Sequence, residues 1–96
     1  MNYKTCLTLL VLFSTNLIAQ ITGTVKDKSN GEPMEGVNIN AGEKGTATNE
    51  FGEFNFDVTN GTELEFSHIG YKTKIQNAEN GMLVKMIPSV IESKEI

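Results

Sequence analysis

The stretch GTATNEFGEFNF at residues 45–56 carries the strongest fold signal in the chain. A threonine-rich segment leads into a short turn, and the segment after the turn alternates Phe54, Phe56 and Val58 with polar residues. Because side chains on a strand alternate between two faces, these three apolar residues share one face. Gly52 supplies the backbone freedom that a tight turn needs. The stretch therefore predicts a β-hairpin with one apolar face.

Further strands are predicted on both sides of this hairpin. Apolar residues alternate with polar ones at 21–27, 36–41, 63–68, 71–75 and 82–87. Turn residues, among them three Asn-Gly pairs, separate these segments, and no segment keeps apolar residues at helical spacing over three turns. Strands with one apolar face need a second apolar layer. The sequence therefore predicts an all-β fold, a seven-stranded antiparallel β-sandwich.

The phase of each strand predicts which side chains form the core. In the sixth predicted strand, Tyr71, Thr73 and Ile75 are in phase and are expected to point inward. Gly70 lies between two large residues and predicts a bend at which the chain leaves one sheet and joins the other. The predicted core consists of Val25, Val37, Ile39, Phe54, Phe56, Leu64, Phe66 and Tyr71.

The first 19 residues have the features of a secretion signal. Lys4 precedes an apolar run of about a dozen residues, which is the length of a signal-peptide core and too short to span a bilayer. Small Ala19 suits the position just before a cleavage site. We expect export and cleavage after Ala19, leaving a domain at 20–88 and a C-terminal tail or truncated linker at 89–96.

The composition of the mature chain bounds its partners. The full sequence has eight lysines, no arginine and twelve acidic residues, for a net charge of -4, and removal of Lys4 with the leader lowers it to -5. Non-specific nucleic-acid binding depends on clustered basic residues, so no nucleic-acid partner is expected. Cys6 also lies in the leader, so we expect neither a disulfide nor thiol chemistry in the mature chain.

Two groups of residues are candidates for chemistry. His68 is the sole histidine, and its neighbour Ser67 points to the opposite face of a strand, so the two do not form a nucleophile and base pair. Glu50, Glu53 and Asp57 flank the central hairpin, and paired carboxylates can bind calcium or serve glycoside hydrolysis. Their spacing lacks the EF-hand pattern, and we expect a solvated strand face. No catalytic, cofactor-binding or metal-binding residue is predicted.

An ordered series of motifs runs through the mature chain: GxVxD at 23–27, GEPMxGVxI at 31–39, GxxTxxxGxFxF at 45–56 and LxFSxIGY at 64–71. In order and spacing it resembles the carboxypeptidase regulatory-like domain. More narrowly, it is similar to the version at the N-terminus of TonB-dependent outer-membrane receptors of the SusC type. The resemblance covers about residues 20–88, nearly the whole mature chain.

The resemblance implies a transthyretin-like β-sandwich that is exported to the periplasm and precedes a plug domain and a barrel importing glycans or other nutrients. It implies no peptidase activity, because the zinc-ligand pair of the enzyme that the domain accompanies does not occur here. The plug and barrel do not lie within these 96 residues, and the segment at 91–96 matches poorly the acidic-apolar TonB-contact motif of such receptors.

The expected function is therefore that of a non-catalytic interaction domain without a cofactor. Its expected partner is a protein or a fused outer-membrane receptor, and its expected location is the periplasm, associated with the outer membrane. The alternative is a free-standing periplasmic or surface module that binds glycans or calcium through Glu50, Glu53 and Asp57.

Overall fold

The structure is a computed structural model that describes residues 20–89. The predicted leader at 1–19 lies outside the described residues, as does the predicted tail beyond residue 89. Seven strands form in the described range: β1 (Ile21–Asp27), β2 (Asn38–Ala41), β3 (Lys44–Ala47), β4 (Glu53–Phe56), β5 (Glu63–Ser67), β6 (Lys74–Asn77) and β7 (Met82–Met86). Within this range the all-β prediction is confirmed.

The strands form two sheets that pack face to face. Sheet A has the order β4-β1-β7, and sheet B has the order β3-β2-β5-β6. Val25 and Val84 from sheet A and Ile39 and Phe66 from sheet B are fully buried between them. Phe54 of sheet A meets Phe66 of sheet B edge to face, with ring centroids 5.9 Å apart. The apolar faces that the sequence predicts therefore close on one another as a sandwich.

One strand pairing departs from the predicted antiparallel arrangement. β1 and β7 run parallel, with Val25 beside Val84 and Asp27 beside Met86, whereas the other paired strands are antiparallel. Alternation along a strand fixes which face is buried but carries no information about the direction of the neighbouring strand. The prediction of antiparallel pairing is therefore wrong for this pair, and β1 lies at the centre of sheet A.

The stretch at 45–56 does not form the predicted hairpin. β3 pairs with β2 in sheet B, and β4 pairs with β1 in sheet A, so the turn between them carries the chain from one sheet to the other. The predicted turn itself is present: the Gly52 amide donates to the Asn49 carbonyl at 2.9 Å. The Asn49 side chain accepts from the amides of Phe51 and Glu53, each at 2.9 Å. The local sequence specified the reversal and the apolar face, but not the partner of each strand.

Gly52 is the point at which this turn contacts β1. Its carbonyl accepts from the Val25 amide at 2.8 Å, and its φ of 75° lies in the left-handed region. A Cβ at this position would lie 2.6 Å from the Val25 carbonyl oxygen and 3.0 Å from the Met34 amide nitrogen. Glycine is therefore required here both by the backbone conformation and by the approach of β1 and the segment at 32–34.

The chain bends at Gly70, whose φ is 86°, but it does not change sheets there, because β5 and β6 are neighbours in sheet B; that part of the prediction is wrong. The strand after the bend also has the opposite phase to the prediction. The loop makes contact with sheet A, where Tyr71 forms a bridge with Pro88, and the chain then returns to sheet B as β6. Ile75 is 59% exposed, while Lys74 and Gln76 are turned partly inward. The prediction that Ile75 points inward is wrong. β6 is an edge strand, and inward polar side chains are one way in which natural proteins protect such edges.

The predicted core is otherwise observed. Seven of its eight residues are buried, and Tyr71, the eighth, is partly buried and packs against the core. The buried apolar residues that the predicted core does not include come from β1, β7 and the connections: Ile21, Met34, Val58, Ala78, Met82, Val84 and Met86.

Candidate functional site

The two ends of the sandwich differ in chemistry. At one end, which we call the Asp27 end, β1 and β7 finish and the chain leaves through Ser89. At the other, the Ile21 end, β1 begins and the connection from β2 to β3 turns. The buried carboxylate of Asp27 and its donors Ser29 and Tyr71 lie at the Asp27 end.

Asp27 is the most buried charged group in the described residues, with 7% of its surface exposed. It follows Ile21, Gly23 and Val25 in the inward phase of β1. The Ser29 hydroxyl and amide both donate to its carboxylate, and the Tyr71 hydroxyl donates to the other carboxylate oxygen. The hydrogen bond from the Ser29 side chain, followed by that from Tyr71, lowers the pKa of Asp27 below its ordinary value of 3.8.

Tyr71 joins the loop after β5 to the end of β1. The hydrogen bond to Asp27 raises the pKa of the Tyr71 phenol above its ordinary value of 10.0, and burial acts in the same direction. A neutral phenol therefore donates to an ionised carboxylate over a wide range of pH. The contact connects residues 44 positions apart in the chain, which points to a structural role in closing this end of the sandwich.

His68 lies beside this cluster and not on a strand, because β5 ends at Ser67. Its ring meets the Tyr71 ring edge to face at 5.4 Å between centroids, and its Nδ1 is 2.9 Å from the Ile69 carbonyl oxygen. It is partly exposed. The contacts of His68 are thus with an aromatic edge and a backbone carbonyl.

The acidic residues of the predicted hairpin are spread along the molecule. Glu50 lies in the turn at the Asp27 end, Glu53 begins β4 opposite Thr24, and Asp57 follows β4 near the Ile21 end. All three are exposed, as expected for a solvated face. Within residues 20–89 no three His, Cys, Asp or Glu side chains are grouped closely enough to hold a metal ion.

The surface grooves do not gather reactive groups around one point. One groove, of about 460 Å³, lies at the Ile21 end between Lys44, Val58 and Thr62, where the Lys44 ammonium donates to the Asp57 carbonyl at 2.8 Å. A smaller groove of about 320 Å³ on the outer face of sheet B is lined by Glu63, Glu65 and neighbouring residues.

Two structural residues were not found from the sequence. Asp27 ends the predicted strand at 21–27 and is absent from the predicted core, although its phase with Val25 and the serine two residues later signal a buried carboxylate with a local donor. Thr48 is also buried: its hydroxyl donates to the Met34 carbonyl at 2.6 Å and accepts from the Val37 amide at 2.9 Å. It therefore fastens the connection before β2 to the end of β3.

The β-sandwich matches a known protein family. The family described as "CarboxypepD_reg-like domain" matches residues 21–96, which include all seven strands. The chain belongs to this family. A search of curated protein sequences finds no match.

Among solved structures, this CarboxypepD_reg-like domain is similar to the C-terminal domain of the shaft pilin SpaA from Lactobacillus rhamnosus GG. The identity is 15%, and the alignment covers 77% of this chain and all of the pilin domain with a TM-score of 0.49. Within the described residues, no helix has the length and apolar character needed to cross a bilayer.

Proposed function

We propose that this CarboxypepD_reg-like domain is a non-catalytic accessory domain of an outer-membrane nutrient-uptake system, located in the periplasm. The observation that carries the proposal is the family match over residues 21–96, which spans the entire sandwich. The resemblance is to a domain that sits beside a transporter, and the motif residues of this chain are placed in turns and core. The predicted secretion signal supports the periplasmic location, and the SusC-like order of motifs supports a receptor as the partner.

The structure supports a passive scaffold within this proposal. The buried polar residues Asp27 and Thr48 use their side chains to hold loops to strands. Such hydrogen bonds stabilise a fold and leave the partner contacts to the exposed surface. The function is therefore proposed to reside in the surface of the sandwich and in its attachment.

Expression of the tagged full chain in a diderm bacterium tests the proposal. We expect an intact mass that corresponds to cleavage after Ala19, recovery from the periplasmic or outer-membrane fraction, and in-cell crosslinking to an outer-membrane receptor. The matched control replaces the apolar core of the leader with polar residues, which should leave the protein in the cytoplasm. A mature pool that retains Met1 or Lys4 would contradict the proposal.

Calorimetry separates the alternative from this proposal. Calcium and a panel of oligosaccharides are titrated into the domain, and binding tighter than about 100 μM, which is about -5.5 kcal/mol, would support a glycan- or calcium-binding module. Loss of that binding in Glu53→Gln would locate it on the acidic residues Glu50, Glu53 and Asp57. Hydrolysis of a peptide or glycoside that is lost in His68→Ala would contradict the non-catalytic assignment.

A further inference from the structure

The lysines of this acidic domain are concentrated around one strand. The described residues contain six lysines, and five of them are tied to the last part of β7 or to the segment just after it. Lys26 and Lys85 are neighbours on the parallel pair β1 and β7. The Lys28 amide donates to Met86 and the Lys72 amide to Ile87, each at 2.9 Å. The Lys74 ammonium lies 3.3 Å from the Lys85 carbonyl oxygen.

Several acidic residues lie away from this lysine cluster. Three lie nearer to it: Asp27 is engaged by Ser29 and Tyr71, the Glu32 carbonyl accepts from the Asp27 amide, and Glu53 lies opposite Thr24. Glu63 and Glu65 project from the outer face of sheet B, and Glu43 and Asp57 lie at the Ile21 end. We call the surface around β7 that carries five lysines the basic side of this domain, whose net charge is negative: Lys26, Lys28, Lys72, Lys74 and Lys85.

This basic side is also an open sheet edge. β7 is the last strand of sheet A, and within residues 20–89 no strand pairs with its second side along Met82–Met86. Met86 bonds toward β1, whereas Lys85 and Ile87 accept hydrogen bonds from the opposite side. Since backbone groups alternate in direction along a strand, Leu83 and Lys85 direct their amides and carbonyls to the open edge.

Apolar side chains flank the basic ones on the same strand. Leu83 is 49% exposed and Ile87 is 41% exposed, and they alternate with Lys85 on the outer face. At 87–89 the edge is already covered by the segment at 70–72, through the bridge between Tyr71 and Pro88. The free part of the edge is therefore short and spans residues 82–85. At Lys85 a partner strand would displace the Lys74 ammonium from the carbonyl oxygen.

We propose that the free edge of β7 binds an acidic, extended segment of a partner protein by strand addition. The main chain of the segment would pair with the outward backbone groups of Leu83 and Lys85. An apolar side chain would lie against Leu83, and an acidic one would face Lys85 and its lysine neighbours. This inference rests on the proposed function as an interaction domain and names the surface that it uses.

The positive charge at the β7 edge favours an acidic segment over a second copy of the chain. Pairing two β7 edges would bring two sets of lysines together, and edge lysines are a common protection against such self-association. The same lysines attract a segment of opposite charge, with an association that weakens as salt screens it.

A pair of synthetic peptides tests the proposal on the folded mature domain. The probe is the blocked heptapeptide Ser-Val-Glu-Val-Glu-Val-Ser, and its control carries lysine in place of both glutamates. By two-dimensional NMR we expect the glutamate peptide to shift the amides of Leu83 and Lys85 most, with a Kd below about 1 mM at low salt. Equal binding of the two peptides, or shifts centred on sheet B, would overturn the proposal.

Two variants and a matched control sharpen the test. Lys26→Glu with Lys85→Glu should weaken binding of the glutamate peptide at least about tenfold. Lys44→Glu changes charge at the Ile21 end and should leave the Kd unchanged. Leu83→Pro removes one outward amide from an edge strand and should abolish binding while the domain stays folded. If Leu83→Pro does not fold, the charge-reversal pair decides, and an unchanged Kd there would overturn the proposal.

The experiment separates this inference from the proposed function. Absence of peptide binding by a domain that is exported and crosslinks to a receptor would refute only the strand-addition surface. Peptide binding by a domain that stays in the cytoplasm would support the surface and refute the periplasmic function. Sedimentation of the unliganded domain as a dimer that Leu83→Pro dissociates would overturn the acidic partner in favour of a second copy.

Discussion

Phe54 and Asn55 are adjacent on β4 but lie in opposite environments. Phe54 is 4% exposed and packs on Phe66 across the two sheets, whereas Asn55 faces solvent beside Thr22. Phe54→Ala leaves a cavity that the sheets cannot close and is expected to cost about 3–5 kcal/mol, while Asn55→Ala is expected to cost less than about 1 kcal/mol. Urea unfolding of both variants measures the difference, and similar losses would show that the assigned faces are wrong.

The hydrogen bond between Tyr71 and Asp27 should make stability depend on pH at both extremes. The pKa of Asp27 is lowered in the folded state, so its contribution is present above 3.8 and is lost as the pH falls through the lowered value. The pKa of Tyr71 is raised, so its contribution is present below 10.0 and is lost as the pH rises through the raised value. The pair therefore stabilises the fold between these limits.

Tyr71→Phe tests this dependence, because it removes the hydroxyl and keeps the ring. The melting temperature of the variant should fall below that of the parent near neutral pH, and the two should converge in acid, where Asp27 is protonated. Ser29→Ala, which removes the other side-chain donor, should show the same convergence in acid without the change at alkaline pH. A gap for Tyr71→Phe that stays constant from acid to alkaline pH would contradict the assigned roles.

At the scale of single residues, the alternation of side chains between the two faces of each strand predicted most of the core. Ile39, Phe56 and Leu64 are buried because their strands alternate cleanly. Asp27 follows the same alternation, but a buried carboxylate needs hydrogen-bond donors, and only those from Ser29 are local. Tyr71 supplies one such donor from the loop after β5, and the sequence does not show that the two meet.

At the scale of an element, the turn at 49–52 depends on one glycine. Gly52 and Gly31 have nearly equal φ values, 75° and 77°, but a Cβ at Gly31 would meet open space while one at Gly52 would meet the backbone of β1. Gly31→Ala therefore measures only the cost of the left-handed backbone conformation for a residue with a Cβ, which is about 1 kcal/mol. Gly52→Ala adds the clash and should cost at least about 3 kcal/mol.

Chemical denaturation of the two alanine variants provides the measurement. Because the backbone conformations match, the excess loss in Gly52→Ala reports the approach of the turn to β1. Equal losses would mean that β1 and the turn separate without cost, which would contradict the hydrogen bond between Val25 and Gly52.

The elements were predicted better than their pairing. The turn after Thr48 and the apolar face of β4 are in the sequence, but the choice between a hairpin and a crossing to the other sheet depends on which strand is free to receive β4. β1 is that strand, and it lies about 30 residues earlier in the chain. In β6 the apolar character of Ile75 predicts that it points inward, whereas the edge position of the strand favours polar side chains on the inner side.

At the scale of the whole molecule, the last strand completes the fold. β7 is the parallel neighbour of β1, and Met82, Val84 and Met86 fill sheet A's half of the core. A chain that stops before residue 81 would leave β1 unpaired on one side and expose the core. We expect such a truncation to lose the cooperative unfolding transition, with broad melting by circular dichroism, whereas a chain that stops after Ser89 should melt cooperatively. Cooperative melting of the shorter chain would contradict the role of β7.

The lysine cluster illustrates what a sequence alone leaves hidden. Lys26 and Lys85 are far apart in the chain, and only the parallel register places them side by side. The acidic residues Glu50, Glu53 and Asp57, by contrast, lie within one short stretch of sequence, and the structure distributes them along the molecule. Proximity in sequence therefore does not predict the lysine cluster, which depends on the strand topology.

The parallel arrangement of β1 and β7 has a mechanical consequence. The chain enters at the Ile21 end and leaves at the Asp27 end, so tension applied to the two termini pulls β1 and β7 in opposite directions along their length. The hydrogen bonds of the pair then bear the load together and do not open one at a time. If the domain tethers one part of an assembly to another, this geometry suits it to transmit force without unravelling, and single-molecule pulling should show one abrupt rupture of the whole sandwich.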